Sequence, residues 1–278
     1  MKETEKVLFS QPKIDNWDLI YKRITIPCGK CVGCKLDHSR EWLTRLLMEF
    51  NTNKQGIFLT LTYNDENIPK NNSLSKKDFQ NFIKRLRSEY PDIKFKYFGC
   101  GEYGTNTFRP HYHLILFGYD FNDEYKKNYD GHLFIHKKLE KIWNRGHVLF
   151  NFIDVANLGY TTRYTLKKAF SYKENNYDPE KFGLQKEFQL CSQKLGMDYF
   201  LLNKEKILDN NGVLYFNGQK YNLPRYFLRK LVENGEAKNI KLYREKLSYN
   251  GQLHEDDEFL LKKEKEQKEK LKALRRLN

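Results

Sequence analysis

The stretch Arg109-Pro110-His111-Tyr112-His113-Leu114-Ile115-Leu116-Phe117 sets the tightest limit on the fold. Alternate residues of a strand face opposite sides of a sheet, so Leu114 and Leu116 share one face and Ile115 and Phe117 the other. A strand that is apolar on both faces beyond its start belongs at the centre of a sheet covered on both sides. The neighbouring segments supply the partners and the covers. Ile57 to Tyr63 (IFLTLTY) alternates with period two and ends in the loop NDENIPKNN, and Lys94 to Gly99 and Val148 to Ile153 read as further strands. Ser39 to Phe50 carries Trp42, Leu43, Leu46, Leu47 and Phe50 at helical spacing. Ser75 followed by Asp78 opens a second helix, with Phe79, Phe82, Ile83 and Leu86 on one face and Pro91 as its stop. Val155 to Phe170 reads as a third helix. Between Ser171 and Arg229 the signals are mixed, with hairpin-like turns at Asn210-Asn211-Gly212 and Asn217-Gly218. This order predicts an α+β fold, an antiparallel sheet with flanking helices, over residues 1–235. A charged helical tail follows over 236–278, where Lys262 to Arg276 holds eight Lys/Arg against three Glu.

At 278 residues the chain can bury a proper core, and no internal repeat divides it. No apolar run approaches the roughly 20 residues of a membrane span, and the N-terminus has no apolar centre of the secretory kind, so no membrane partner and a cytoplasmic location are expected. Fifty Lys+Arg against 36 Asp+Glu give a net charge of +14, and 15% of residues are aromatic. Cations displace phosphate counterions and aromatic faces stack on unpaired bases, a profile that suits a nucleic-acid binder without requiring one.

His111 and His113 sit at i and i+2 on the central strand, so both imidazoles project into one space, a divalent-metal ligand geometry. Alone, such a pair is equally compatible with plain packing. Glu102, in Cys100-Gly101-Glu102-Tyr103-Gly104, changes the balance: if its strand and the histidine strand are neighbours joined by the turn Thr105–Arg109, its carboxylate reaches the same point. A His/His/carboxylate set with open positions suits Mg²⁺ or Mn²⁺ carrying a phosphate oxygen.

Some 50 residues on, Tyr160, Tyr164 and Lys167 fall within an arc of roughly 60° on a helix. The apolar stripe of Val155, Leu158, Leu166 and Ala169 falls near the opposite side. A phenol attacking a phosphodiester yields a phosphotyrosine, and a neighbouring lysine can lower the phenol pKa or neutralise charge at phosphorus. Tyrosines at this spacing also serve as packing or rim residues. Arg109, Arg163 and Lys168, cations beside these motifs, read as DNA contacts.

Cys28, Cys31 and Cys34 offer three thiols that can close on structural Zn²⁺ with His38 as fourth ligand. An iron–sulfur site fits part of the same spacing, and so do plain thiols in a turn.

In the order FLTLTYND, GEYG…RPHYHLILFG and YTTRYTLKK the sequence resembles the three motifs of HUH-type rolling-circle replication initiators, most closely those of gokushoviruses, single-stranded DNA phages of the microvirus family. Ile26-Pro27-Cys28-Gly29-Lys30-Cys31-Val32-Gly33-Cys34-Lys35 and Leu223-Pro224-Arg225-Tyr226-Phe227 are similar to further signatures of that family. The resemblance runs from about residue 26 to 230. It implies a Rep-like fold, His111 and His113 as the HUH metal ligands with Glu102 as the acidic third, and Tyr160 and Tyr164 as the two-tyrosine motif with Lys167 following. It also implies nicking and rejoining of single-stranded or supercoiled phage origin DNA through a phosphotyrosine, with host helicase and polymerase as partners, in the bacterial cytoplasm. The rival readings are another HUH enzyme (plasmid initiator, relaxase or transposase) and a non-catalytic zinc-knuckle single-strand binder.

Overall fold

A computed structural model describes residues 29, 31–104, 107–119, 126–127, 133–153, 158, 179–252, 261–262 and 264–269. Contacts divide the chain into two compact units, Ser39–His254 and Met1–His38 with Glu255–Asn278. In chain order the described elements begin with α1 (Val32–Asn53), β1 (Gly56–Thr62), α2 (Lys76–Glu89), β2 (Lys96–Tyr103) and β3 (Pro110–Phe117). They continue with β4 (Lys126–Lys127), β5 (Phe134–Ile135), α3 (Lys137–Trp143), β6 (Val148–Phe152) and β7 (Phe188–Cys191). The last group is α4 (Met197–Leu202), α5 (Lys204–Asp209), β8 (Val213–Phe216), β9 (Gln219–Asn222), α6 (Arg225–Glu233) and α7 (Lys238–Gln252). Among the described residues no helix is long and apolar enough to cross a membrane.

The expected α+β architecture is present. Seven strands form one antiparallel sheet in the order β4-β5-β6-β1-β3-β2-β7, with β3 inside it between its two long neighbours. Its two faces are buried as the sequence predicts. Leu114 and Leu116 join Leu59, Leu61 and Phe150 under Phe79, Phe82, Ile83 and Leu86 of α2 and Trp143 of α3. Ile115 and Phe117 join Phe98 under Leu46, Leu47 and Met48 of α1 and a C-terminal layer that includes Phe200, Phe216, Phe227 and Ile240. The core therefore continues beyond residue 235, since Ala237 and Ile240 are buried in it.

Local chemistry explains the element ends. Ser75 caps α2 by accepting a hydrogen bond from the Asp78 amide at 3.1 Å. Arg85 donates to the carbonyls of Ile142 and Trp143, at 2.6 and 2.8 Å, and so occupies acceptors at the C-terminus of α3. Asn217-Gly218 is the two-residue hairpin turn expected, both residues at positive φ, between β8 and β9. Asn210-Asn211-Gly212 is not a hairpin. It ends α5, where the Gly212 amide donates back to the Ile207 carbonyl at 2.8 Å, a helix C-terminal motif that uses the same residue types. The Leu223–Phe227 segment docks α6 on α1: the Arg45 guanidinium lies 4.5 Å from the ring centroids of both Trp42 and Tyr226. Phe227 stacks on Phe200 with centroids 5.0 Å apart.

Two boundaries differ from expectation. α1 starts at Val32, seven residues before Ser39, and β2 runs on through Glu102 to Tyr103. The glycines of Phe98-Gly99-Cys100-Gly101-Glu102 belong to a paired strand because aromatic rings occupy the places where their side chains would be. A Cβ on Gly99 would lie 2.7 Å from Phe79, and one on Gly101 would lie 2.9 Å from Phe188.

Candidate metal centre

The β2/β3 hairpin sets Glu102 directly opposite His111 and Cys100 opposite His113. On the other flank, β1 sets Thr62 opposite His111 and Thr60 opposite His113. Directly opposed residues project to the same side of a sheet. One face of the sheet thus changes character along its length, from apolar at Phe98, Ile115 and Phe117 to polar at Cys100, Glu102, His111 and His113. The ligand atoms of Glu102, His111 and His113 all lie within 4.8 Å of one another. Among the described residues no other group of three potential ligands is drawn together in this way.

Each of the three is oriented by a neighbour. His111 Nδ1 is 3.2 Å from the Arg109 carbonyl. A carbonyl can only accept, so Nδ1 carries the proton and Nε2 keeps its lone pair for a metal. His113 Nδ1 is 3.2 Å from Thr60 Oγ1, which anchors that ring through the same atom. Its other flank is covered by Phe58, whose ring stacks on it at 5.3 Å. The Cys100 thiol donates to Glu102 Oε1 at 3.1 Å. Glu102 is only 3% exposed and His113 9%. Two imidazole nitrogens and a carboxylate oxygen, held on rigid strands, form a donor set that fits a divalent cation with positions left for other ligands.

Behind the strand, the intervening Tyr112 points the opposite way and is fully buried. Its hydroxyl lies 2.7 Å from that of Tyr63, which donates to Asp78 Oδ2 at 2.8 Å, and Arg145 completes the cluster 3.1 Å from Asp78 Oδ1. Burial pushes the Tyr63 phenol well above its ordinary range and the Tyr112 phenol up to about 12. Both are structural hydroxyls, held protonated. Neither Tyr112 nor the polar supports Cys100 and Thr60 stood out in the sequence as site residues, although the period-two relation of Cys100 to Glu102 was a usable signal.

The other expected site residues fall out as follows. Arg109 donates to the Tyr63 carbonyl at 3.0 Å and pairs with Asp65 at 2.7 Å, tying the end of the hairpin to the loop after β1. In the smaller unit, the Cys34 amide lies 3.5 Å from Cys31 Sγ as α1 begins, and His38 lies one turn beyond Cys34. Cys28, Tyr160, Arg163, Tyr164, Lys167 and Lys168 lie outside the described residues, as does nearly all of the expected Val155–Phe170 helix.

Comparison with known proteins adds a family. A family model for replication-associated proteins of the ORF2 type matches residues 56–169, which take in β1, all three ligands and the tyrosine motif. The chain is 32% identical over 256 residues to the "Replication-associated protein ORF2" of Spiroplasma virus 4, covering 83% of this chain and 77% of that protein. It is 31% identical over 232 residues to the "Replication-associated protein ORF4" of Chlamydia phage 1, covering 78% of this chain and 57% of the relative. A third relative, the "Replication-associated protein VP4" of Bdellovibrio phage phiMH2K, is 28% identical over 235 residues, covering 81% and 72%. No solved structure matches. With the ligand hairpin inside the matched segment and the likeness extending over most of both chains, the protein belongs to the replication-associated protein family of the microvirus-type phages.

Proposed function

We propose that this protein initiates phage DNA replication by nicking and rejoining single-stranded origin DNA. The observation that carries the reading is the cross-strand Glu102/His111/His113 set, with ligand atoms within 4.8 Å. Glu102, His111 and His113 would hold Mg²⁺ or Mn²⁺. When bound, such an ion supplies positive charge to the non-bridging oxygens of the scissile phosphate. A phenol of Tyr160 or Tyr164 attacks phosphorus and gives up its proton. The bond from phosphorus to the 3′ oxygen breaks, that oxygen takes a proton, and the tyrosine keeps the 5′ phosphate. Lys167 favours the phenolate and offsets charge at phosphorus, while Arg163 and Lys168 bind the strand backbone. The free 3′-OH then serves a host polymerase, with a host helicase opening the duplex. A second phenol allows the regenerated origin to be cut while the released strand is circularised. Arg109, although paired with Asp65, sits at the hairpin end and is read as a further backbone contact. Cys28, Cys31, Cys34 and His38 are proposed as a separate structural zinc site. Action in the cytoplasm of the bacterial host belongs to the same reading.

The test is a cleavage assay on the phage's own replicative DNA with Mn²⁺. A covalent protein–DNA adduct is expected in the wild type and is lost when Tyr160→Phe and Tyr164→Phe are combined. His111→Ala should abolish cleavage while reducing DNA binding little. An adduct that survives loss of both tyrosines, or DNA binding with no cleavage at all, overturns the reading.

A further inference from the structure

We propose that Phe108 is a base-stacking residue, its ring taking the face of an unpaired nucleobase next to the phosphate bound at the Glu102/His111/His113 centre. The inference rests on the single-strand reading above and names a substrate contact for it. Phe108 lies in the connection between the two strands that carry the three ligands, three residues before His111. Its backbone is held at both ends: its amide donates to the Gly104 carbonyl at 3.1 Å, and the Gly104 amide donates to the Arg109 carbonyl at 3.0 Å. That same Arg109 carbonyl anchors His111 Nδ1 at 3.2 Å, so the turn that presents the Phe108 ring also aims a metal ligand.

Two features make this phenylalanine unlike a packing residue. Its side chain is left 43% exposed, in a hairpin whose other aromatics, Phe98, Tyr103, Tyr112 and Phe117, are buried. Its φ is +50°, a left-handed conformation that a bulky side chain disfavours. Among the described residues, the other non-glycine positions with positive φ are five asparagines and two lysines, Asn71, Asn72, Asn144, Asn211, Asn217, Lys54 and Lys194. Asparagine is the residue this chain repeatedly uses where the backbone turns left-handed. At Phe108 an aromatic stands instead, strained and in contact with solvent, at the rim of a site that handles a polymer whose every unit has a π face. Backbone strain kept at a site rim is a usual mark of a contact required by function rather than by folding. A stacked base there would fix the strand's rotation about the phosphate and bring one non-bridging oxygen toward the ligand cluster.

The experiment compares full-length wild type, Phe108→Trp and Phe108→Leu for binding of a short fluorescein-labelled oligothymidylate with Mn²⁺ present, by anisotropy. Leucine keeps an apolar side chain and the same backbone strain but has no π face. Stacking predicts binding by the tryptophan variant at or above wild type, and by the leucine variant roughly five- to tenfold weaker. Equal binding by wild type and leucine variant, or loss of binding in the tryptophan variant, overturns the proposal. The adduct assay keeps the two readings apart. Aromatic-dependent binding without a tyrosine adduct rejects cleavage and leaves stacking standing, whereas an adduct with no dependence on the ring rejects stacking alone.

Discussion

The hydroxyls of Tyr63 and Tyr112 lie 2.7 Å apart within the apolar layer on the far side of the ligand strand. Each carries one hydrogen, which fixes a direction. The Ser75 amide donates to Tyr112 at 3.0 Å, Tyr112 donates to Tyr63, and Tyr63 donates to Asp78 Oδ2 at 2.8 Å. The relay joins the residue between the two histidines to the N-cap of α2, so the rotation of β3 about its axis is tied to a helix packed beneath it.

Tyr63→Phe leaves Asp78 and Tyr112 each short of a buried partner, and should destabilise the fold by about 1–3 kcal/mol in urea titration. Mn²⁺ affinity of the folded protein should stay within about twofold of wild type, because the backbone positions of His111 and His113 are held independently by pairing with β1 and β2.

Raising the pH should weaken the fold in a defined window. Tyrosine ionises at about pH 10 in the unfolded chain. Burial holds Tyr112 protonated in the folded protein up to about 12. Between these values the folded state binds more protons than the unfolded state, so stability falls as pH rises through the window and is fully present below it. A shift of this size corresponds to roughly 2–3 kcal/mol. Urea midpoints from pH 8 upward should be level to about pH 10 and then drop, and Tyr112→Phe should flatten the drop.

Glu102→Gln keeps the shape of the side chain and removes its charge. Mn²⁺ binding to the full chain, read by the loss of the free-ion electron paramagnetic resonance signal, should weaken by more than about tenfold. Cys100→Val removes the donor to Glu102 Oε1 and should weaken binding several-fold, while Cys100→Ser retains a donor and most of the affinity. An unchanged affinity in the Glu102 variant would remove the carboxylate from the ligand set.

Gly99→Ala should be among the most damaging single-methyl changes in the sheet. The new Cβ would sit 2.7 Å from the ring of Phe79 and 2.8 Å from the His113 carbonyl, and the latter is backbone that cannot swing aside. A loss of about 3 kcal/mol, at the upper end for overpacking, is expected in thermal or urea unfolding.

The two-faced strand Leu114–Phe117 and the Ser75 cap were legible because period-two alternation and capping are properties of adjacent residues. The Glu102/His111/His113 set was legible for the same reason, since a hairpin brings together ligands that are close in sequence. The extent of β2 was not: Gly99 and Gly101 read as turn residues until Phe79 and Phe188, distant in sequence, explain the space they leave. Asn210-Asn211-Gly212 misled because a left-handed helix end and a hairpin turn call for the same residues. α3 begins at His136, whose Nδ1 accepts from the Leu139 amide at 3.3 Å, a cap that composition does not advertise. The Tyr63–Tyr112 relay is a tertiary fact: nothing local says that two tyrosines 49 positions apart share a hydrogen bond.

Because Glu102 comes from one strand and His111 and His113 from the next, the centre has no existence in a chain whose hairpin is open. A slip of β2 past β3 by a single residue would turn the carboxylate to the far side of the sheet, away from both imidazoles. A copy still emerging from the ribosome, or one partly melted, is thus disarmed, and occupancy of the centre certifies that the sheet around it has closed in the right register.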